Sequence, residues 1–457
     1  MTLKQEQLDE VVYKVSVFRD GKLLTNNDGQ SNIAEFIRGI EILESITTAS
    51  IEATLIIQDT AGFLGSMTGS ELFKIQCIAT NIDRTYFVRA YSMEARSRSK
   101  QQQDMFIVRA CSDEFIKNEV TNVFGNSDTI FAGQGEASAI IKQLLTDKRY
   151  LKTKKKFFSE QTLNKQQFIA TNWRPYDAIY WIAQRAVRKS RKGGNLQNGF
   201  CFWENALGFH FKSIDTMIAE VNNQKKNTNS DYSKNTIKLY DYVYSPKNID
   251  EGGVDVYKIK SLVFPDERNF LMGLRHGDWS GFSVGFDPVT IPNSVMGGSR
   301  DLNIDAYRYS LKDSWQKMEH LDGKKTKNPL QAMDTGIQAM IDYPKRVRYT
   351  IMPNQNFDAE NKNNPQSTYS EMIELQSYQW MRIASLKNIK LIIKIPGNFD
   401  LYAGSGIHIT IPGTFRDGDK TPVDRRYSGR YLIASVKHDM VDSKLTTELL
   451  LLRDAVL

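Results

Sequence analysis

Apolar and polar residues alternate at the start of the chain. In VVYKVSVFRDGKLL (11–24), Val11, Tyr13, Val15 and Val17 share one face of a strand, and Asp20-Gly21 supplies a hairpin turn. FVRAYSMEA (87–95) and DMFIVRAC (104–111) form a second hairpin pattern whose tip, 96–102, is long and polar. The end of the chain is written the same way: YLIASVKH (431–438), a tip at 439–444, then LTTELLLLR (445–453).

The two ends are related. SKQQQDMFIVRA (99–110) and SKLTTELLLLRDA (443–455) align without a gap at an offset of 344, which matches Asp104 with Glu448 and Arg109 with Arg453. Upstream, DRTYFVRAY (83–91) faces DRRYSGRYLI (424–433) at an offset of 341. Further back, TLIIQDTAGFLGSMTGSELFKI (54–75) faces KLIIKIPGNFDLYAGSGIHITI (390–411), starting at an offset of 336 and matching Gly69-Ser70 with Gly404-Ser405. Segments that keep their order while the offset drifts are what a duplicated unit with altered loops leaves behind. The copy also decides an ambiguity. Leu449 to Leu452 alone favour a helix, but their counterparts 105–108 include Phe106 and Val108 on one face, so the terminal leucines read as strand.

Between the copies the period changes. EASAIIKQLLTDKRY (136–150) is helical, with Ile140, Ile141, Leu144 and Leu145 on one stripe. NWRPYDAIYWIAQRAVRKS (172–190) places Pro175 in a first helical turn. GFCFWENALGFHFKSID (199–215) is a hairpin with Phe200 and Phe202 facing Phe209 and Phe211. Two polar stretches, 222–235 and 354–368, read as long loops. The expected fold class is α+β, mostly antiparallel β, with two similar tube-type β-barrels and an α+β insert between them. The expected division is a first barrel at 1–113, an α+β domain at 114–250, the start of the second barrel at 251–300, an insertion at 301–375 and the rest of the second barrel at 376–457.

Composition narrows the function. At 457 residues the chain exceeds one ordinary core. A formal charge of +7 over that length is too mild for a nucleic-acid signature. Cys77, Cys111 and Cys201 show no paired spacing, which suits a reducing compartment. No stretch has the length and apolarity of a membrane span, and MTLKQEQLDEVVYK offers no apolar leader core.

No chemistry rises from the motifs. The five histidines lack metal-site spacing, and neither metal nor cofactor is expected. Cys201 and His210 would oppose each other if Phe202 paired with Phe209, but no orienting acid accompanies them. Gly133-x-Gly135-x-x-Ser138 before a helix is a plain loop lacking the third glycine of a phosphate-binding turn. The basic runs at 151–158 and 185–194 read as solvated faces. The chain is not expected to be an enzyme.

The order of these segments carries a resemblance. The helix RPYDAIYWIAQRAV followed by the hairpin GFCFWENALGFHF, and the ending GRYLIASVKHDMVDSKLTTELLLLRDAV, resemble the central baseplate hub protein of contractile-tailed, T-even-like bacteriophages. The likeness covers most of the chain and is weakest over 301–375. It implies a virion structural protein of the tail baseplate, assembled in the host cytoplasm. It implies a homotrimer whose six barrels form a pseudo-hexameric ring between a six-fold tail tube and a three-fold central spike, with other baseplate proteins as neighbours. Phage DNA would pass through the channel without sequence-specific contact, and no membrane insertion is implied. The hub of a phage-derived secretion machine and a tail-associated cell-wall hydrolase are the alternatives. In either ring setting, the hairpin tips, with Arg96, Arg98 and Lys100 in one copy and Asp439, Asp442 and Lys444 in the other, are the expected contacts to adjacent rings or chains.

Overall fold

The structure, a computed structural model, describes residues 11–457 except 26–28, 30, 61–66, 80–81, 101–102, 125–134, 190–195, 227–237, 245–256, 266–268, 287–307, 324–325, 345, 352–356, 359–364, 415–421 and 442. The N-terminal strands are β1 (Val12–Arg19), β2 (Lys22–Leu23), β3 (Ile37–Ser45), β4 (Glu52–Asp59), β5 (Leu72–Ile78), β6 (Asp83–Lys100) and β7 (Gln103–Ser112). The central region contributes α1 (Asp113–Val120), α2 (Ala137–Thr146), α3 (Pro175–Ala183) and α4 (Ile214–Asn223), with β8 (Phe157–Ser159), β9 (Phe200–Asn205) and β10 (Gly208–Ser213). Beyond them come β11 (Asp241–Val243), β12 (Ser261–Val263), α5 (Phe270–His276), β13 (Ser280–Phe286), β14 (Arg308–Ser310), β15 (Arg346–Ile351) and α6 (Pro365–Leu386). The chain closes with β16 (Ile389–Pro396), β17 (Gly406–Thr410), β18 (Gly429–Val441) and β19 (Lys444–Arg453).

The duplication is visible in the pairing. The first half runs β3-β4-β7-β6-β5-β1, and the second runs β12-β16-β19-β18-β17-β11 in the corresponding order. One pairing departs: β1 is antiparallel to β5, whereas β11 is parallel to β17. The terminal leucines are indeed strand, with Leu445, Leu449 and Leu451 all buried. The offset for this last strand needs correction. Ile56 lies opposite Ile107 and Ile392 opposite Leu450, so Ile107 corresponds to Leu450 and not to Leu451. A one-residue slip in a strand exchanges its two faces. The corrected register matches buried Phe106 and Val108 with buried Leu449 and Leu451.

The fold is α+β and mostly antiparallel β, as expected. The two halves join edge to edge through β18 and β3 into one 13-stranded sheet, and no ladder joins β1 back to β3 among the described residues. Instead Val15 N donates to Asn32 Oδ1 (2.9 Å) and Ile33 N donates to Val15 O (2.8 Å), folding the first half around its own core. That core holds Val15, Val17, Ile42, Leu55, Phe73 and Val108, and the second half has its own, with Leu391, Ile407, Tyr431 and Leu449.

Two expected boundaries move. β11, within the expected α+β segment, belongs to the second sheet, while β13, expected in the second barrel, pairs with β14 and β15 in a separate sheet. The expected loop at 354–368 ends inside α6, which crosses the boundary at 375. The period that marks α6 is present in the sequence: Met372, Leu375, Tyr378, Met381 and Leu386 are buried at helical spacing.

The α+β unit forms largely as its pattern suggests. α2 buries Ile140, Ile141, Leu144 and Leu145, and Pro175 occupies the first turn of α3. In the hairpin, Phe202 faces Phe211, so Cys201 opposes Lys212 and His210 opposes Trp203. The Cys201–His210 pairing is therefore not formed.

Candidate functional site: the seam between the halves and the cluster that ties it down

β18 serves two partners in turn. Over Gly429–Leu432 it pairs with β17, and over Ser435–Val441 it pairs with β3, where Ser435 opposes Ser45 and Val441 opposes Gly39. The strand changes partners at an irregularity between Ile433 and Ser435, where a bulge bends a strand and raises its twist. Side chains from the second half complete the first half's core: Met440, Leu445 and Phe399 are buried in it. Lys437 Nζ lies 2.7 Å from Glu41 Oε2 across the seam, Arg84 reaches Asp400 at 3.6 Å, and Val11 N donates to Ser443 O at 3.1 Å.

Glu44 stands where both halves and the α+β unit meet. Its carboxylate accepts from Ala206 N (2.8 Å) and Ala403 N (3.3 Å). It is buried, and burial pushes its pKa up to about 7 despite those two donors. Close by, Lys155 bridges Glu114 (2.6 Å) and buried Glu204 (2.5 Å). Two equivalent glycines turn the chain on either side of the duplication: Gly69 has φ 86° and Gly404 has φ 88°. At Gly404 a Cβ would lie 2.5 Å from the Trp203 ring, so the turn there also admits the α+β hairpin.

The end of the last strand is tied down by charge. Arg382 on α6 donates to Asp454 (2.9 Å) and lies 3.9 Å from Asp215 on α4, with all three side chains buried. His320 Nδ1 is 2.8 Å from Asp454, and Tyr378 donates to Asp215 at 2.7 Å. Arg453 bonds Ser428 O and meets Asp322 at 3.0 Å. Burial works to raise the pKa of Asp454, but Arg382, His320 and the Leu321 N–H outweigh it and hold the carboxyl down at about 2. The weak region of the resemblance, 301–375, thus supplies His320 and Asp322 to the closing strand.

The hairpin tips are placed differently from each other. Arg96 (2.7 Å) and Arg98 (2.9 Å) converge on Asp104 and remain largely exposed. Lys100 is the last residue of β6. In the second copy Asp439 is half-buried and opposes Glu41 inside the intramolecular seam, Lys444 is exposed, and Asp442 lies outside the described residues. The tips are not neighbours in the sheet, since β3, β4 and β7 separate β18 from β6.

The remaining motifs resolve into structure. Burial pushes the Cys201 thiol up to about 12 and the His210 imidazole down to about 3, and His210 stacks between Trp203 and Phe158. Of the basic runs, Lys155 is in the carboxylate bridge. Arg188 bonds Glu160 (2.7 Å), Gln197 and Thr216 (2.8 Å), and Arg185 lies 3.7 Å over the Trp181 ring. Gly133 lies outside the described residues. No group of three or more His, Cys, Asp or Glu side chains placed to hold a metal ion occurs among the described residues. No helix is long and apolar enough to cross a membrane among the described residues.

This architecture, a repeated six-strand unit around an α+β insert, has counterparts among solved structures. A tail protein from Neisseria meningitidis MC58 superimposes over 97% of this chain and 96% of its own, with a TM-score of 0.50 at 10% identity. At that identity the likeness is one of fold, and this chain has the fold of that protein. The 43 kDa tail protein of prophage MuSo2 from Shewanella oneidensis is similar over 96% of this chain and 98% of its own, with a TM-score of 0.45 at 10% identity. A component of the Escherichia coli type VI secretion system, itself described as similar to the T4 tail proteins gp27 and gp5, is similar over 91% of this chain and 73% of its own, with a TM-score of 0.39 at 8% identity. No family model matches the chain. No curated protein matches it in sequence.

Proposed function

We propose that this chain is the structural hub subunit of a contractile phage tail baseplate. Three copies form a ring that joins the six-fold tail tube to the three-fold central spike in the virion, and the chain's task is load transmission around a channel. The observation that carries this reading is the repeated strand order joined edge to edge by β18 and β3. A chain holding two equivalent units presents six near-equivalent units when three chains assemble, which matches a six-fold ring above to a three-fold body below. The division of labour follows: the two sheet halves face the tube, and the α+β unit with the 301–375 insertion carries the three-fold contacts to spike and baseplate neighbours. The first tip, with Arg96, Arg98 and Lys100, is assigned to an adjacent ring or chain, as is exposed Lys444 with Asp442. Asp439 would support the second tip from within the seam.

Light scattering and negative-stain imaging of the purified chain test the reading. Ring-shaped trimers with a central channel are expected, alone or with the tube or spike protein added. A stable monomer at micromolar concentration that forms no ring with either partner would overturn it.

A further inference from the structure

A cavity of about 270 Å³ opens where the end of α3, the long helix α6 and strand β15 come together. Arg185, just past α3, and Arg348 on β15 both line it. Met372, Leu375 and Ile383 of α6 give it an apolar wall. No aspartate or glutamate belongs to its lining among the described residues.

Both arginines stack on tryptophan. The Arg185 Cζ lies 3.7 Å from the Trp181 ring centroid, and its Nη1 donates to Trp181 O at 2.9 Å. The Arg348 Cζ lies 3.6 Å from the Trp380 ring centroid. Arg348 donates to the Tyr309 hydroxyl and, at 3.0 Å, to His276 O. Trp380 is fixed in turn, since its Nε1 donates to Gly277 O at 3.1 Å. Stacking occupies the face of a guanidinium and leaves its edge donors for a planar anion.

The charge here is balanced differently from that of the deep interior. Arg382 meets Asp454, Arg453 meets Asp322 and Arg188 meets Glu160. Arg348 touches only neutral partners among the described residues. Asp278, the acid whose field reaches it, lines the neighbouring cavity and not this one. Burial lowers the pKa of Arg348 and brings that of Arg185 down to about 10. An anion entering a cavity lined by two partly desolvated guanidiniums is held by charge-assisted hydrogen bonds.

We propose that this cavity binds a carboxylate on a short apolar body, with the head at Arg348 and Arg185 and the body along Met372, Leu375 and Ile383. The volume sits near the lower bound of ligand sites, about 300 Å³, so the occupant is a small free acid or a single acidic side chain. A neutral molecule of the same shape gains the apolar wall without the charges. A bare carboxylate gains the charges without the wall.

Ligand-observed saturation-transfer NMR on the full-length protein tests this with hexanoate as the probe. Hexanamide is its neutral counterpart and acetate its bare head. Hexanoate is expected to bind at millimolar concentration, about tenfold more tightly than either. Arg348→Gln and Arg185→Gln should each weaken it about tenfold, while Arg109→Gln, at an exposed pair with Glu94, should not. Arg348 also ties Tyr309 to His276 O, so Arg185→Gln and Met372→Phe keep the test independent of that tie. Met372→Phe narrows the cavity, retains both arginines and should abolish binding. A capped Leu-Glu-Leu peptide carries the same head on a protein backbone. Tighter binding than hexanoate would support the site with a partner's acidic side chain as its source, and weaker binding would support it with a free acid. Hexanamide or acetate matching hexanoate, hexanoate binding unchanged in the three cavity variants, or no binding of hexanoate would each overturn the site.

Discussion

Arg382 and Asp454 meet at 2.9 Å with neither side chain exposed, one from the long helix α6 and the other just past the last strand. A buried pair of this kind is weak evidence of net stabilisation, but removing one partner strands the other charge. Asp454→Ala is expected to destabilise the protein by about 3–5 kcal/mol, and Asp454→Ala with Arg382→Leu to recover part of that loss. Arg109→Ala, near the end of the corresponding strand in the first copy, breaks an exposed pair with Glu94 and should leave the melting temperature unchanged. Thermal unfolding of the four proteins, followed by circular dichroism, checks the order.

The equivalent glycines separate two effects. Gly69→Ala and Gly404→Ala both force a side chain into the left-handed region, a strain of about 1 kcal/mol. At Gly69 the new Cβ meets the flexible Met93 side chain at 3.4 Å, but at Gly404 it meets the Trp203 ring at 2.5 Å. Gly404→Ala should therefore lower the denaturation midpoint well beyond Gly69→Ala. Equal midpoints would show that the Trp203 hairpin does not depend on the turn.

How far the sequence reveals this arrangement depends on whether local pattern or distant contact decides. The apolar stripe of α2, Pro175 at the start of α3 and the paired hairpins are local and readable. The repeat is readable too, because strand order survives loop change, yet its final register slips by one since Leu449 to Leu452 are identical and carry no phase. The aromatic register Phe202–Phe211 is set by turn geometry that aromatic spacing alone does not specify. The cluster around Asp454 draws on residues from α4, the insertion, α6 and the chain end, and no motif joins them. The seam itself depends on Met440 entering a core assembled some 400 residues earlier in the chain, for which periodicity has no signal.

Glu44 gives the seam a pH dependence of definite sign. Its pKa rises from 4.5 in the reference state to about 7 in the fold, so the folded state holds a proton that the unfolded state releases. Its contribution is fully present below about pH 4.5 and is lost as pH rises to about 7, an amount of order 3 kcal/mol. His438 acts in the opposite sense: burial lowers its pKa to about 3, so its neutral form contributes above the reference value of 6.5 and loses that contribution as pH falls toward 3. The difference between Glu44→Gln and the unaltered protein isolates the carboxyl. The variant should become relatively more stable as pH rises from 4.5 to 7, measured by urea midpoints at several pH values. A pH-independent difference would show that Glu44 is ionised in the fold throughout.

Leu445 tests whether the seam is one structure or two halves in contact. It lies in the second copy by sequence, but its side chain is 1% exposed within the first half's core, with Met440 and Phe399. Leu445→Ala should cost about 2–5 kcal/mol through lost burial and the cavity left behind. Because the cavity opens in the first half, hydrogen exchange should quicken in β1, β3 and β5 as well as in β19. Leu391→Ala, buried in the second half's own core, should cost a similar amount while leaving exchange in β1 and β5 less affected. If Leu445→Ala loosened β19 alone, the two halves would be separate domains that happen to touch, and β18 pairing with β3 would not propagate strain from one copy to the next.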